Sequence, residues 1–160
     1  MLKARLTHAP PSEGAVRILL VEDNPGDALL IESALELSAD PPFGLSVESR
    51  LTPAIDRLRS ERFDVVLLDL NLPDSFGFET VTAVQEIVPR IPVVIVTGNV
   101  DETFARAAVQ AGAQDYLVKD HIESYSLVRS ILFAIERKRT ENDLHAALAD
   151  LDASHSHDFR

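Results

Sequence analysis

Three short apolar runs recur along the chain, separated by stretches of helical spacing: "VRILLV" at 16–21, "DVVLLD" at 64–69 and "PVVIVT" at 92–97. Arg17 at the head of the first run aside, none shows the polar–apolar alternation of a strand with one wet face. A short apolar run bounded by breakers is expected for a strand covered on both sides, an arrangement typical of parallel sheets sandwiched between helices. Two weaker strands complete the series. "LSVES" at 45–49 alternates, with Leu45 and Val47 on one face, and "DYLVK" at 115–119 is short. Both suit sheet edges.

Helical signals fill the gaps. Asn24 and Pro25 read as an N-cap and a first helical residue. Thr52-Pro53 repeats that signal before Ile55 and Leu58. A helix over 77–88 places Val81, Val84 and Val88 on one face, and one over 101–111 stops at Gly112. A long helix begins near Glu123. Five strand–helix units in register predict an α/β fold: a flavodoxin-like, doubly wound, five-stranded parallel sheet of order 2-1-3-4-5, with an extended C-terminal helix.

In such a sheet the strand carboxyl ends share one edge, where ligands bind. The first strand ends in Glu22-Asp23, the third in Asp69, the fourth in Thr97 and the fifth in Lys119. Three gathered carboxylates repel unless protons or a cation relieve them. An all-oxygen set suits Mg²⁺, which binds one or two carboxylates together with phosphate oxygens. Lys119 and Thr97 can meet an anion beside it. The constellation reads as phosphoryl-binding, with a carboxylate available as nucleophile.

"LLVEDNPGD", "VVLLDLNLPDSFGFE", "VVIVTG" and "GAQDYLVK" together resemble the receiver domain of two-component response regulators, over about residues 16–137. The resemblance implies that Asp69 accepts a phosphoryl group from a sensor histidine kinase or a phosphotransfer protein. It implies Mg²⁺ held by Asp23, Asp69 and the Asn71 backbone carbonyl, with Glu22 assisting through water. Lys119 would contact the phosphoryl oxygens. Thr97 and Tyr116 would act as the switch pair, Tyr116 turning inward after Thr97; plain edge-strand packing is an equally weighted reading of Tyr116. Glu22 stands where aspartate is commoner, and Gly98 leaves the site open. Asp120 stands where the family has a cis-proline. A cis bond to a non-proline residue costs ~3 kcal/mol, so this bond is either strained or trans, and a trans bond reshapes the start of the last helix.

The expected organisation is a loose leader at 1–15, a receiver domain at 16–137 and a C-terminal helical extension and tail at 138–160. That extension is too short for a winged-helix reader or a cyclase domain, so a receiver-only switch acting through protein contacts is expected. The alternatives are a receiver segment whose effector lies outside this chain, and a magnesium aspartyl-phosphate phosphohydrolase. The second wants an aspartate two residues after the nucleophile, where this chain has Asn71. Arg137-Lys138-Arg139 reads as a solvated face with Arg137–Glu141 and Arg139–Asp143 pairs. Leu144, Leu148 and Leu151 beyond it form a stripe suited to a homodimer through the last helix. His145 reads as a surface residue, and His155 and His157 as members of a disordered polar tail rather than a metal site. A net charge of −11 argues against nucleic acid or an anionic membrane surface. No cysteine offers a thiol. The opening residues lack a signal peptide's apolar core, so a cytoplasmic location is expected.

Overall fold

Successive residues of a strand point to opposite faces, and here both faces are covered. The computed structural model describes residues 14–38, 40–98 and 102–157, leaving aside the side chains at 102, 105 and 154–157. The elements are β1 (Val16–Val21), α1 (Pro25–Glu36), β2 (Phe43–Glu48), α2 (Leu51–Ser60), β3 (Val65–Leu68), α3 (Phe78–Ile87), β4 (Val93–Thr97), α4 (Glu102–Gln110), β5 (Asp115–Val118) and α5 (Ser124–His157). A two-residue ribbon, Asn71–Leu72 against Ser75–Phe76, follows β3, and a 3₁₀ turn, Lys119–His121, follows β5. The sheet runs β2-β1-β3-β4-β5 and is parallel throughout, as expected. The leader reading at 1–13 and the readings of His155 and His157 as side chains lie outside the described residues.

Ile18, Leu20, Val65, Leu67, Val94 and Val96 face one layer, where Ile31 and Leu35 of α1 meet Leu127 and Ile131 of α5. Leu19, Val21, Val66, Leu68, Val93 and Ile95 face the other, against Leu58 of α2, Val81 and Val84 of α3 and Ala108 of α4. All of these are buried. Each fully buried aliphatic side chain contributes roughly 1.5–3 kcal/mol, so a one-residue slip would misplace both layers at once.

α1 begins as predicted, with Asn24 Oδ1 accepting from the Gly26 and Asp27 backbone N–H groups at 2.9 and 3.1 Å. The start of α2 differs. Leu51, not a residue after Thr52, opens the helix, and Arg50 at its N-cap gives no side-chain hydrogen bond. The cap comes from across the chain: the Asp74 carboxylate accepts from the Leu51 and Thr52 N–H groups at 2.8 and 2.9 Å. Pro53 sits in the first turn, where a missing N–H costs little.

In α5 the buried positions are Leu127, Ile131 and Ala134, with Val128 and Ile135 half-buried beside them. The polar stretch after Ile135 is tied to the domain by hydrogen bonds instead of apolar packing. Gln114 Nε2 donates to Glu141 Oε2 at 3.0 Å, and Asn142 Nδ2 donates to the Arg90 carbonyl at 3.0 Å. The ion pairs differ from those expected: Arg137 lies 3.8 Å from Asp115, Lys138 lies 3.7 Å from Glu141 and Arg139 lies 3.2 Å from Glu136. Leu144, Leu148 and Leu151 stand exposed beyond these ties, and His145 is exposed as well. Among the described residues no helix is long and apolar enough to cross a membrane.

Candidate functional site

The carboxyl edge of the sheet is assembled by backbone pairing that runs past the strand ends. Glu22 N–H donates to the Glu48 carbonyl at 2.9 Å, and Asp69 N–H donates to the Val21 carbonyl at 3.0 Å. These bonds set Glu22 and Asp69 side by side, and both are buried. Asp23, next in the chain, is exposed. One oxygen from each of Glu22, Asp23 and Asp69 lies within 4.8 Å of the other two.

Lys119 leaves the end of β5 and enters this group. Its Nζ lies 2.7 Å from Glu22 Oε2, 3.0 Å from Asp27 Oδ2 and 3.1 Å from Asp69 Oδ2, and its side chain is only 11% exposed. Asp69 Oδ1 accepts from the Asn71 backbone N–H at 3.0 Å, so both oxygens of Asp69 are held. Glu22 Oε1 accepts from Asn24 N–H at 3.1 Å. Glu22 Oε2, by contrast, touches the ammonium outside hydrogen-bond alignment. It is buried with a charge contact and no aligned donor.

Burial pushes the Glu22 carboxyl up to about 7; the Lys119 ammonium against it opposes the rise, and Asp69 beside it adds to it. Burial favours the neutral form of Lys119, but Glu22, Asp27 and Asp69 outweigh it and hold the ammonium proton well above the ordinary lysine range. The causes differ, burial for Glu22 and the neighbouring carboxylates for Lys119, but both favour the protonated form.

Those features fit a hard divalent cation. The donors are all oxygen, they converge, and a buried carboxylate oxygen lacks an aligned donor. Asp23 gives the cluster a solvent-facing member, and Mg²⁺ characteristically keeps several waters.

Thr97 ends β4 half-buried, in register with Val118, the residue before Lys119. A Cβ on Gly98 would lie 3.8 Å from Lys119 Cδ, in ordinary contact, so the lysine stem runs past the end of β4. Tyr116 is on β5 and 37% exposed, on the surface rather than in the cluster. Asn71 is exposed on the ribbon. The structure therefore brings Glu22, Asp23, Asp69 and Lys119 together, sets Thr97 beside them and leaves Tyr116 outside.

Of the two alternatives for the bond after Lys119 the structure has the trans one, and it adds one site residue that the sequence reading did not name. The Lys119–Asp120 bond is trans, since Asp40–Pro41 is the one cis bond among the described residues. The chain then turns through Lys119–His121 before α5. Asp27 belongs to the site although the sequence reading gave it no role. Its only signal was its place in the first turn of α1, where an acidic side chain is ordinarily explained by the helix dipole.

The sequence matches the response regulator receiver domain family over residues 18–131. The response regulator ArlR of Staphylococcus saprophyticus is 30% identical over 139 residues, covering 86% of this chain and 61% of that protein. The chain spans 53% and 61% of the length of two such curated relatives. The receiver domain of sensor histidine kinase PA1611 from Pseudomonas aeruginosa PAO1 was solved with a magnesium ion coordinated in its active site cleft. It aligns with a TM-score of 0.65 at 27% identity, covering 76% of this chain and 98% of that one. A CheY-like receiver domain protein from Methanospirillum hungatei JF-1 shares the fold, with a TM-score of 0.68 at 22% identity over 79% of this chain and 98% of that one.

Proposed function

The chain belongs to the response regulator receiver domain family, and from that premise we propose that it is a phosphorylation switch whose acceptor is Asp69. The observation that carries the reading is the way Asp69 is held. The Asn71 N–H takes one oxygen and the Lys119 ammonium the other, next to a carboxylate cluster able to take a cation.

In the proposed reaction an Asp69 oxygen attacks the phosphorus of a phosphohistidine on a sensor histidine kinase or phosphotransfer protein. The O–P bond forms as the P–N bond breaks, and the released pair stays on the imidazole nitrogen, which takes a proton. Lys119 meets the charge on the phosphoryl oxygens. Asp23, Asp69 and the Asn71 carbonyl would hold Mg²⁺, with Glu22 acting through water; the bound ion supplies charge neutralisation between the carboxylates and the phosphoryl group.

Thr97 would then donate to a phosphoryl oxygen, and Tyr116, part exposed on β5, would turn inward. The surface formed by α4, β5 and α5 changes with them, as a population shift biased by phosphoryl contacts. The output is protein contact, in keeping with a signalling switch in the cytoplasm. The exposed Leu144, Leu148 and Leu151 stripe of α5 is the surface offered to a second copy. The phosphohydrolase alternative has less support, because Asn71 supplies no acid and its N–H already serves Asp69.

Intact-mass measurement after incubation with Mg²⁺ and acetyl phosphate tests the reading. One phosphoryl adduct is expected, lost when Mg²⁺ is chelated and absent in Asp69→Asn. An equal adduct in Asp69→Asn would overturn the assignment.

A further inference from the structure

An ammonium has three N–H bonds to give, and Lys119 gives a contact to each of three carboxylates: Glu22, Asp27 and Asp69. These three are not equivalent. Glu22 and Asp69 belong to the set whose oxygens converge with that of Asp23, whereas Asp27 does not. Asp27 instead rides on the first turn of α1, where its N–H is fixed by Asn24 Oδ1 at 3.1 Å. A lysine stem is flexible, and its placement must come from one of its two ends. The trans bond and 3₁₀ turn after Lys119 do not supply the restraint of a cis-proline. The ammonium end carries the restraint.

Resting on the reading of Asp69 as acceptor, we propose that Asp27 is a positioning residue, a tether on α1 that keeps the Lys119 ammonium aimed at the phosphoryl group on Asp69. When a cation and a phosphoryl group draw on Glu22 and Asp69, two of the three lysine contacts must be traded. The contact to Asp27 is the one that persists, because Asp27 stands outside the converging set. The remaining ammonium protons swing to the phosphoryl oxygens about a fixed point. Asp27 touches no reacting atom and acts only through Lys119.

The test is a double-mutant cycle in the full chain, read as the rate of adduct formation against acetyl phosphate concentration in saturating Mg²⁺. Asp27→Asn should lower the maximal rate about fivefold, the scale of a part-exposed charge contact, with little change in half-saturation. Asp27→Glu, which keeps the charge, should recover part of the loss. In a Lys119→Met background Asp27→Asn should have no further effect, and Mg²⁺ affinity should change far less than in Asp23→Asn. An unchanged rate, an equal loss in both backgrounds or a metal affinity lowered as far as in Asp23→Asn would each overturn the tether. Wild-type protein that forms no adduct would defeat the acceptor reading instead. The tether would then be judged by the same cycle in metal-free urea unfolding, where it requires coupling between positions 27 and 119 and is refuted by additivity.

Discussion

Replacing Glu22 by glutamine should make the metal-free protein more stable at neutral and higher pH, although it removes a site residue. The Glu22 carboxyl is buried and pushed from 4.5 to about 7. Between those values the folded chain keeps a proton that the unfolded chain releases. The stability linked to this proton is complete below pH 4.5 and is lost as the pH rises through about 7. At about 1.4 kcal/mol per pH unit, the whole window amounts to about 3 kcal/mol. Glutamine has nearly the same shape, can still accept from Asn24 N–H and never ionises. Urea unfolding in chelator should give nearly equal stabilities for the two proteins at about pH 4. The gap should open in favour of Glu22→Gln up to about 3 kcal/mol at pH 8. Saturating Mg²⁺ should narrow it, since the ion stabilises the carboxylate form. A gap that does not change with pH, or a variant less stable than wild type at pH 8 in chelator, would refute the reasoning.

Asp74→Ala should cost about 1 kcal/mol in urea unfolding, the usual worth of an N-cap. Slight desolvation acts to raise the Asp74 carboxyl, but the Thr52 and Leu51 N–H groups outweigh it and hold it below the ordinary range. The cap is therefore present above pH 4 and fades as the pH falls through that lowered value, so the penalty of the substitution should shrink below about pH 4. Mg²⁺ at about a hundred times its Kd should raise stability by about 2.7 kcal/mol, and Asp23→Asn should remove most of that gain; thermal melts that ignore the metal in both proteins would count against the cluster. Removing residues 144–160 should leave adduct formation intact and convert a dimer to a monomer by light scattering. A full chain that is monomeric with and without phosphodonor would contradict the role given to the leucine stripe.

The sheet order was legible because the strands differ in kind. Unbroken runs such as Val65–Leu68 could only be central, and the alternation at Leu45 and Val47 belonged at an edge. The convergence of Glu22, Asp23, Asp69 and Lys119 follows from that order, since parallel strands end on one side. What stayed hidden depends on chain segments that meet only after folding. The cap on α2 comes from Asp74, 23 residues after Leu51, so the local Thr52-Pro53 signal pointed to the wrong acceptor. Asp27 looked fully explained by its helix. Its partner lies 92 residues away, and no local pattern marks such a pair. The ties of Glu141 and Asn142 to Gln114 and Arg90 are polar, so the apolar spacing of the last helix gives no sign of them.

The central claim is that a phosphoryl group arrives on Asp69 rather than on a neighbouring carboxylate. Borohydride reduces an acyl phosphate to an alcohol, and peptide mass mapping then locates the altered residue. After incubation with Mg²⁺ and acetyl phosphate, homoserine should appear at position 69 alone, with Glu22, Asp23 and Asp27 unchanged. Reduction at position 23 or 27, or an adduct that borohydride does not touch, would contradict the account.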